Sequence, residues 1–274
     1  MPDPYATIAE TALSLQERLA DVLELRAADP QQQAMLRAYL SELDLPRGAE
    51  ALEIGCGTGA VSRTLVELLN LEVTGVDPSS VFVARARELG KRLPGLTFVQ
   101  GDGRSLELGE ASFDLVVFHT TICHISDPEA ALREAHRVLR PGGWLAVFDG
   151  DYTTTTVSIS DFDPLQPLVN AMVANFVHNP WLTRRLPKTL RAMGFEVNSL
   201  RSYGYTQTEE PTYMLTIIDR GADLLSESGS LTRETADALR KEARRRAQTG
   251  EFFGHISFVS VIARKPNPYE RIDQ

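Results

Sequence analysis

The chain has 274 residues, 43% of them hydrophobic and 24% charged, a balance that suits one enlarged globular domain and excludes a disordered or fibrous chain. With 28 basic against 37 acidic residues, the formal net charge is −9; no broad basic surface is available to neutralise phosphates, and nucleic acid is not an expected partner. The basic cluster Arg240, Lys241, Arg244, Arg245 and Arg246 is interspersed with Glu234, Asp237 and Glu242 and reads as the solvated face of a charged helix.

Two cysteines, Cys56 and Cys123, are too few for a disulfide framework and point to a reducing compartment. The stretch MPDPYATIAE has no basic segment followed by an apolar run, and no window approaches about 18 consecutive apolar residues. We therefore expect a cytoplasmic chain without membrane insertion, of open oligomeric state. No repeated His, Cys or carboxylate spacing calls for a metal.

In chain order, Ile8, Leu15, Leu19 and Val22 recur at helical spacing, and Asp29-Pro30 supplies a cap and first-turn proline ahead of Met35, Leu36, Tyr39, Leu40 and Leu43. Two amphipathic helices are thus expected within residues 1–45. From residue 49 short apolar runs alternate with helical stretches, the pattern of βαβ units in a mostly parallel sheet. Strands are expected near 49–55, 72–77, 97–102, 113–119 and 142–149, and helices near 58–69, 78–92 and 127–139. The third of these helices starts at Asp127-Pro128-Glu129 and stops before Pro141-Gly142-Gly143. Beyond Asp149 the alternation breaks, and residues 151–180, with Pro164, Pro167 and Pro180, read as an insertion. Its Thr153–Thr156 run also suits an extended segment. A helix near 181–193, a strand Phe195–Leu200, two helices over 211–249 broken at Ser228-Gly229 and a strand Phe252–Ala263 complete the chain.

The segment Leu52-Glu53-Ile54-Gly55-Cys56-Gly57-Thr58-Gly59 ends a strand and opens a helix, the place where a parallel sheet holds a nucleoside cofactor. Glycines at alternate positions let the backbone approach a ligand and adopt positive φ. Asp77, 20 residues beyond Gly57, ends the next strand, where a carboxylate can accept both hydroxyl hydrogens of a ribose. Gly55, Gly57 and Ala60 also satisfy the permissive dinucleotide pattern, so a nicotinamide cofactor stays open on the loop alone.

More of the chain decides. Glu53 to Gly59, Asp77, Gly101-Asp102-Gly103, Phe113-Asp114-Leu115-Val116, Cys123-His124-Ile125-Ser126-Asp127 and Arg137-Val138-Leu139-Arg140-Pro141-Gly142-Gly143 resemble successive motifs of class I S-adenosylmethionine-dependent methyltransferases. The group related to ubiquinone and menaquinone biosynthesis methyltransferases is the nearest in kind, and the resemblance covers about residues 47–150. It implies an α/β fold with a Rossmann-like, seven-stranded, mostly parallel sheet, helices on both faces, and an antiparallel last strand inserted between two others. It also implies S-adenosylmethionine as cofactor and S-adenosylhomocysteine as product. Glu53, Gly55, Cys56 and Gly57 then lie at the methionine part, Asp77 and Pro78 at the ribose, and Asp102 with Gly103 at the adenine. His119 and Thr120 lie beside the cofactor, and Arg26 or Tyr5 closes over its carboxylate. The implied division is a helical cap over 1–45, a cofactor-binding core over 46–150, and a remainder over 151–274 whose additions 151–180 and 208–250 cover the substrate.

A sulfonium-borne methyl group is already electrophilic, so the protein mainly aligns a nucleophile and excludes water. Where a base is needed, His119, His124 and Asp151 are the candidates, and Asp149, Asp151 and Tyr152 should face the site mouth as residues at a strand's carboxyl end. Phe162, Leu165, Leu168, Met172, Phe176, Trp181, Tyr213, Met214 and Ile217 are expected to line an apolar chamber. The functional expectation is methyl transfer to O, N or C of a small-molecule metabolite. A non-methylating rearrangement or cyclisation and NAD-dependent oxidoreduction are the alternatives.

Overall fold

The computed structural model describes residues 3–268; the two residues before and six after, at the ends of the expected cap and remainder, lie outside it. Helices α1 (Leu13–Ala27) and α2 (Pro30–Leu40) come first. Asp29 caps α2 by accepting from the amides of Gln31 and Gln32, and its other carboxylate oxygen takes the Tyr205 hydroxyl at 2.9 Å, which ties this helix start to a distant strand.

Alternating strands and helices follow: β1 (Glu50–Ile54), α3 (Ala60–Leu69), β2 (Glu72–Asp77), α4 (Ser80–Gly90), β3 (Leu96–Gln100), β4 (Phe113–His119), α5 (Pro128–Val138) and β5 (Leu139–Val157). Then come α6 (Gln166–Phe176), α7 (Leu182–Ala192), β6 (Glu196–Gln207), α8 (Thr212–Glu227), α9 (Arg233–Thr249) and β7 (Gly254–Arg264). The sheet runs β3-β2-β1-β4-β5-β7-β6. Its first five strands are mutually parallel, and β7 slots antiparallel between β5 and β6. The expected last-strand insertion is thus present.

The order reverses at β1, with β2 on one side and β4 on the other, so a crevice opens at the carboxyl ends of these strands. Buried aliphatic runs such as Leu115–Val116–Val117 explain why the central strands stay parallel and covered on both faces. Toward the α2 side, Tyr39, His119 and Phe258 all gather on Phe148, whose ring centroid lies 5.3, 4.7 and 5.2 Å from theirs, each nearly coplanar.

Two boundaries differ from the sequence reading. The strand expected to end at Asp149 continues to Val157, because β7 carries its pairing on: Asp151 faces Ser257, and after a bulge at residues 152–155 Thr156 faces His255. The expected insertion therefore begins in strand, and its β-branched threonines suit that state. Likewise β6 runs to Gln207 rather than residue 200, matched by the length of β7.

Arg246, expected on a solvated face, is 7% exposed and pairs with buried Asp163 at 2.6 Å. Arg240, Arg244 and Arg245 are each paired with neighbouring carboxylates. Among the described residues no helix is long and apolar enough to cross a membrane.

Candidate active site

Leaving β1, the chain turns through Gly55 and Gly57, whose φ values are +73° and +52°. A Cβ on Gly55 would land on the Thr121 side chain, and one on Gly57 would lie 2.9 Å from Leu23. Both positions thus need glycine for conformation, and Gly55 needs it for space as well. The amides of Gly55 and Cys56 donate to the Val76 carbonyl at 2.7 and 3.0 Å, stitching the loop to β2. Beneath it, Glu53 is 2% exposed and accepts a short hydrogen bond from the Ser62 hydroxyl on α3. Burial pushes its carboxyl up to about 8, opposed by that hydrogen bond.

Asp77 ends β2 with one carboxylate oxygen accepting from the Gly57 amide and the other from the Ser79 amide, both at 2.9 Å. Burial pushes it up to about 6, again against those donors. Two carboxylate oxygens offer about four acceptor positions, so two backbone donors leave room for two more. At the end of β3, Asp102 sits on the rim, where Arg104 grips it at 2.7 Å and its carboxyl is held below the usual range. Gly103 is buried, and a Cβ there would strike Ile54.

His119 ends β4 with its Nδ1 3.0 Å from the Tyr39 hydroxyl and its ring on Phe148. Burial, with the Arg26 charge second, pulls its pKa down to about 3, so the ring is neutral. Thr120 adopts φ +52°, an unfavourable setting for a β-branched residue, held by its amide donating to the Phe148 carbonyl at 2.6 Å. Farther along, His124 Nδ1 lies 2.6 Å from Asp3 Oδ2, and the same oxygen accepts from the His178 amide at 3.1 Å. The other Asp3 oxygen takes the Tyr5 amide at 2.9 Å, and the Tyr5 ring lies 4.9 Å from that of His124. Because a carboxylate accepts, the His124 proton belongs on Nδ1, and Nε2 is the ring's acceptor.

A cavity of about 860 Å³ joins these parts. Tyr5, Arg26, Glu53, Gly55, Cys56, Gly57, Asp77, Pro78, Asp102, Gly103, His119, Thr120 and His124 all border it. Asp151 does not; it is 8% exposed and held by Arg184 at 2.7 Å and the Thr153 hydroxyl at 2.6 Å. Asp149 also fails to reach the expected mouth: it is fully buried, with its carboxylate on the amides of Cys123 and Gly150. Tyr152 is 5% exposed and off the cavity as well.

None of the apolar residues expected to line a chamber borders the cavity either. Leu165, Leu168, Met172, Met214 and Ile217 fill the core under α6 and α8, while Phe162 is fully exposed and Trp181 is half exposed. Gly221 brings α8 so close to the Leu168 carbonyl that no side chain fits between the helices. The roof is instead the N-terminal segment 5–10 with α1 and α2.

Three contributors escaped the sequence reading. Asp3 orients His124 across 121 positions of sequence. Tyr39 holds His119. Gln32, on α2, borders the cavity at 4% exposure with neither amide atom partnered. A polar residue on the inward face of an amphipathic helix, as Gln32 is beside Met35, Leu36 and Tyr39, was the available signal.

Comparison with known proteins gives a coherent result. Residues 52–147 match the family model described as a methyltransferase domain. The chain is 32% identical over 116 residues to the 2-phytyl-1,4-naphtoquinone methyltransferase of Thermosynechococcus vestitus, covering 42% of this chain and 52% of that one. It is 32% identical over 150 residues to the 27-O-demethylrifamycin SV methyltransferase of Amycolatopsis mediterranei, covering 54% and 48%. The matched stretch thus spans about half the length of these relatives. A Bacillus halodurans protein of known structure shares the fold, with a TM-score of 0.61 at 21% identity over 84% of this chain and 98% of that one.

Proposed function

Because residues 52–147 form a class I S-adenosylmethionine-dependent methyltransferase domain, we propose that the chain transfers a methyl group from S-adenosylmethionine to a hydroxyl oxygen of a small-molecule metabolite. The observation that carries this reading is a glycine-walled loop and a buried Asp77 opening into the same cavity as a carboxylate-oriented histidine.

The residues present suit the cofactor. Asp77 keeps acceptor capacity that would serve the ribose hydroxyls, Gly55 and Gly57 would give the methionine part close access to backbone, and Asp102 with Gly103 would hold the adenine end at the rim. Cys56 and Pro78 form wall; burial pushes the Cys56 thiol well above its ordinary range, so it stays protonated. Bound there, S-adenosylmethionine supplies a methyl group activated by its sulfonium.

The chain's own task is orientation and proton removal. His124 Nε2 takes the hydroxyl proton as the oxygen becomes a nucleophile, and Asp3 holds the ring in place through Nδ1. His119 acts as a neutral wall: a ring whose pKa lies near 3 does not hold a proton at neutral pH. The segment 5–10 excludes water from above. The name of the relative 27-O-demethylrifamycin SV methyltransferase points to an oxygen acceptor in that protein, which supports one here. Neither the NAD reading nor the non-methylating one gains comparable support.

His124→Ala is expected to lower kcat for methyl transfer by about 10²–10⁴, the usual worth of a general base, while calorimetric affinity for S-adenosylhomocysteine stays at the wild-type level. Asp3→Asn should lower kcat in the same direction, with S-adenosylhomocysteine affinity unchanged. An H124A enzyme with full kcat would remove histidine from the chemistry.

A further inference from the structure

We infer that this chain pairs with a second copy of itself, the basic face of α7 in each copy lying on an aromatic, acid-rimmed corner of the other. The inference stands apart from the methyl-transfer reading and goes beyond it.

The corner forms where three strand ends meet. Gly254 opens β7 and faces both Val157 at the end of β5 and Gln207 at the end of β6. The segments that leave or enter there expose three large apolar side chains, Ile159, Phe162 and Phe253. Phe162 is fully exposed, and its φ of +59° is a costly setting for a bulky residue. The turn is nonetheless fixed from beneath. Buried Asp163 accepts from the amides of Ile159 and Leu165, both at 3.0 Å, and is itself paired with Arg246. Rigidly held, contiguous apolar surface of this kind marks a place of contact. Exposed Asp161, Glu209 and Glu210 lie in the same segments.

Helix α7 is the complement. Its exposed positions are Arg184, Arg185, Lys188, Arg191 and Ala192, and half-exposed Trp181 stands just before it. Trp181, Arg184, Lys188 and Arg191 follow one another at helical spacing along a single face, and no acid interrupts them. Arg184 stacks over Trp181 at 4.9 Å and is spent on Asp151. Among the described residues Arg185, Lys188 and Arg191 form no salt bridge, and neither do Asp161, Glu209 and Glu210. Three unspent cations beside an exposed indole thus match three unspent carboxylates beside exposed phenyl rings, in sign and in apolar content.

A second copy is the occupant that satisfies both surfaces at once. An anionic lipid surface would attract α7 and be repelled by the corner. The two surfaces also share one end of the sheet: Arg184 holds Asp151 on β5, and β5 runs on from there to the corner at Val157. A twofold axis then makes the pairing twice and closes a dimer.

The test is sedimentation velocity on the full chain. Wild type is expected to run as a dimer at tens of micromolar protein. The triple variant Arg185→Glu, Lys188→Glu, Arg191→Glu should run as a monomer, and so should Asp161→Lys, Glu209→Lys, Glu210→Lys, because each sets like charges together. Mixed one to one, these two variants should recover the dimer, since each altered surface again meets its opposite. Phe162→Ser should weaken dimerisation tenfold or more with the circular dichroism spectrum unchanged. A monomeric wild type would overturn the proposal, as would dimers that survive in both triple variants or fail to return on mixing. A monomeric wild type that co-sediments with phosphatidylglycerol vesicles would overturn it too, by giving α7 to a lipid surface.

Discussion

Asp77 shows how one side chain does two jobs. Its carboxylate pins the loop amide of Gly57 and the helix-start amide of Ser79, so removing it both loosens the cradle and leaves a ligand's hydroxyls unpaired. Asp77→Ala should weaken S-adenosylhomocysteine binding by about 1–3 kcal/mol, read by calorimetry; unchanged affinity would sink the ribose assignment. Residues of this kind were legible in the sequence because loop, strand end and acid sit at short, regular spacing. Asp3 and Gln32 were not. Asp3 meets His124 across a sequence separation of 121, and the want of Gln32 shows only once α2 is folded against the sheet. His119 illustrates a third case: its place at the end of β4 was readable, but its chemistry depends on burial and on Arg26, which sequence does not display.

At the scale of elements, the strand and helix alternation over residues 49–149 was readable because period and turn signals agree. Reading failed where one element's length is set by another. The antiparallel β7 extends both β5 and β6, and the bulge at 152–155 conceals the alternation that would have marked β5's continuation. The apolar residues of α6 and α8 look the same from sequence whether they line a chamber or pack a core; in the fold Leu168, Met172, Met214 and Ile217 are buried, and Gly221 lets α8 approach the Leu168 carbonyl closely. This also gives Asp163 its weight, since it caps the turn into α6 through the Leu165 amide and pairs with Arg246 of α9. Arg246→Met leaves that carboxylate buried and unpaired, and should destabilise the fold by about 3 kcal/mol, seen as a lowered denaturation midpoint with an unchanged denaturant slope. A loss under about 0.5 kcal/mol would mean that the pair is solvated.

Across the whole molecule, buried carboxyls under the cavity give stability a pH dependence of definite sign. Glu53 rises from its ordinary 4.5 to about 8 and Asp77 from 3.8 to about 6 on folding. The folded protein therefore holds protons that the unfolded chain has released, and their contribution is full below the unfolded values and lost as pH climbs through the folded ones. His119 works from the other side: its folded value near 3 lies below the ordinary 6.5, so its contribution is present above 6.5 and lost on acidification. The ligand-free protein should thus be less stable at pH 8 than near pH 5–6. Glu53→Gln, which keeps an acceptor for Ser62, should flatten the alkaline fall in thermal unfolding; an equally steep fall in that variant would place its origin elsewhere.

The central claim is that the crevice at the sheet's reversal point takes a methyl donor and not a dinucleotide. Calorimetric titration of the wild-type chain with S-adenosylhomocysteine and, separately, with NAD tests it most directly. Saturable one-to-one binding of S-adenosylhomocysteine with no heat from NAD is the predicted result; binding of NAD without binding of S-adenosylhomocysteine would contradict the account.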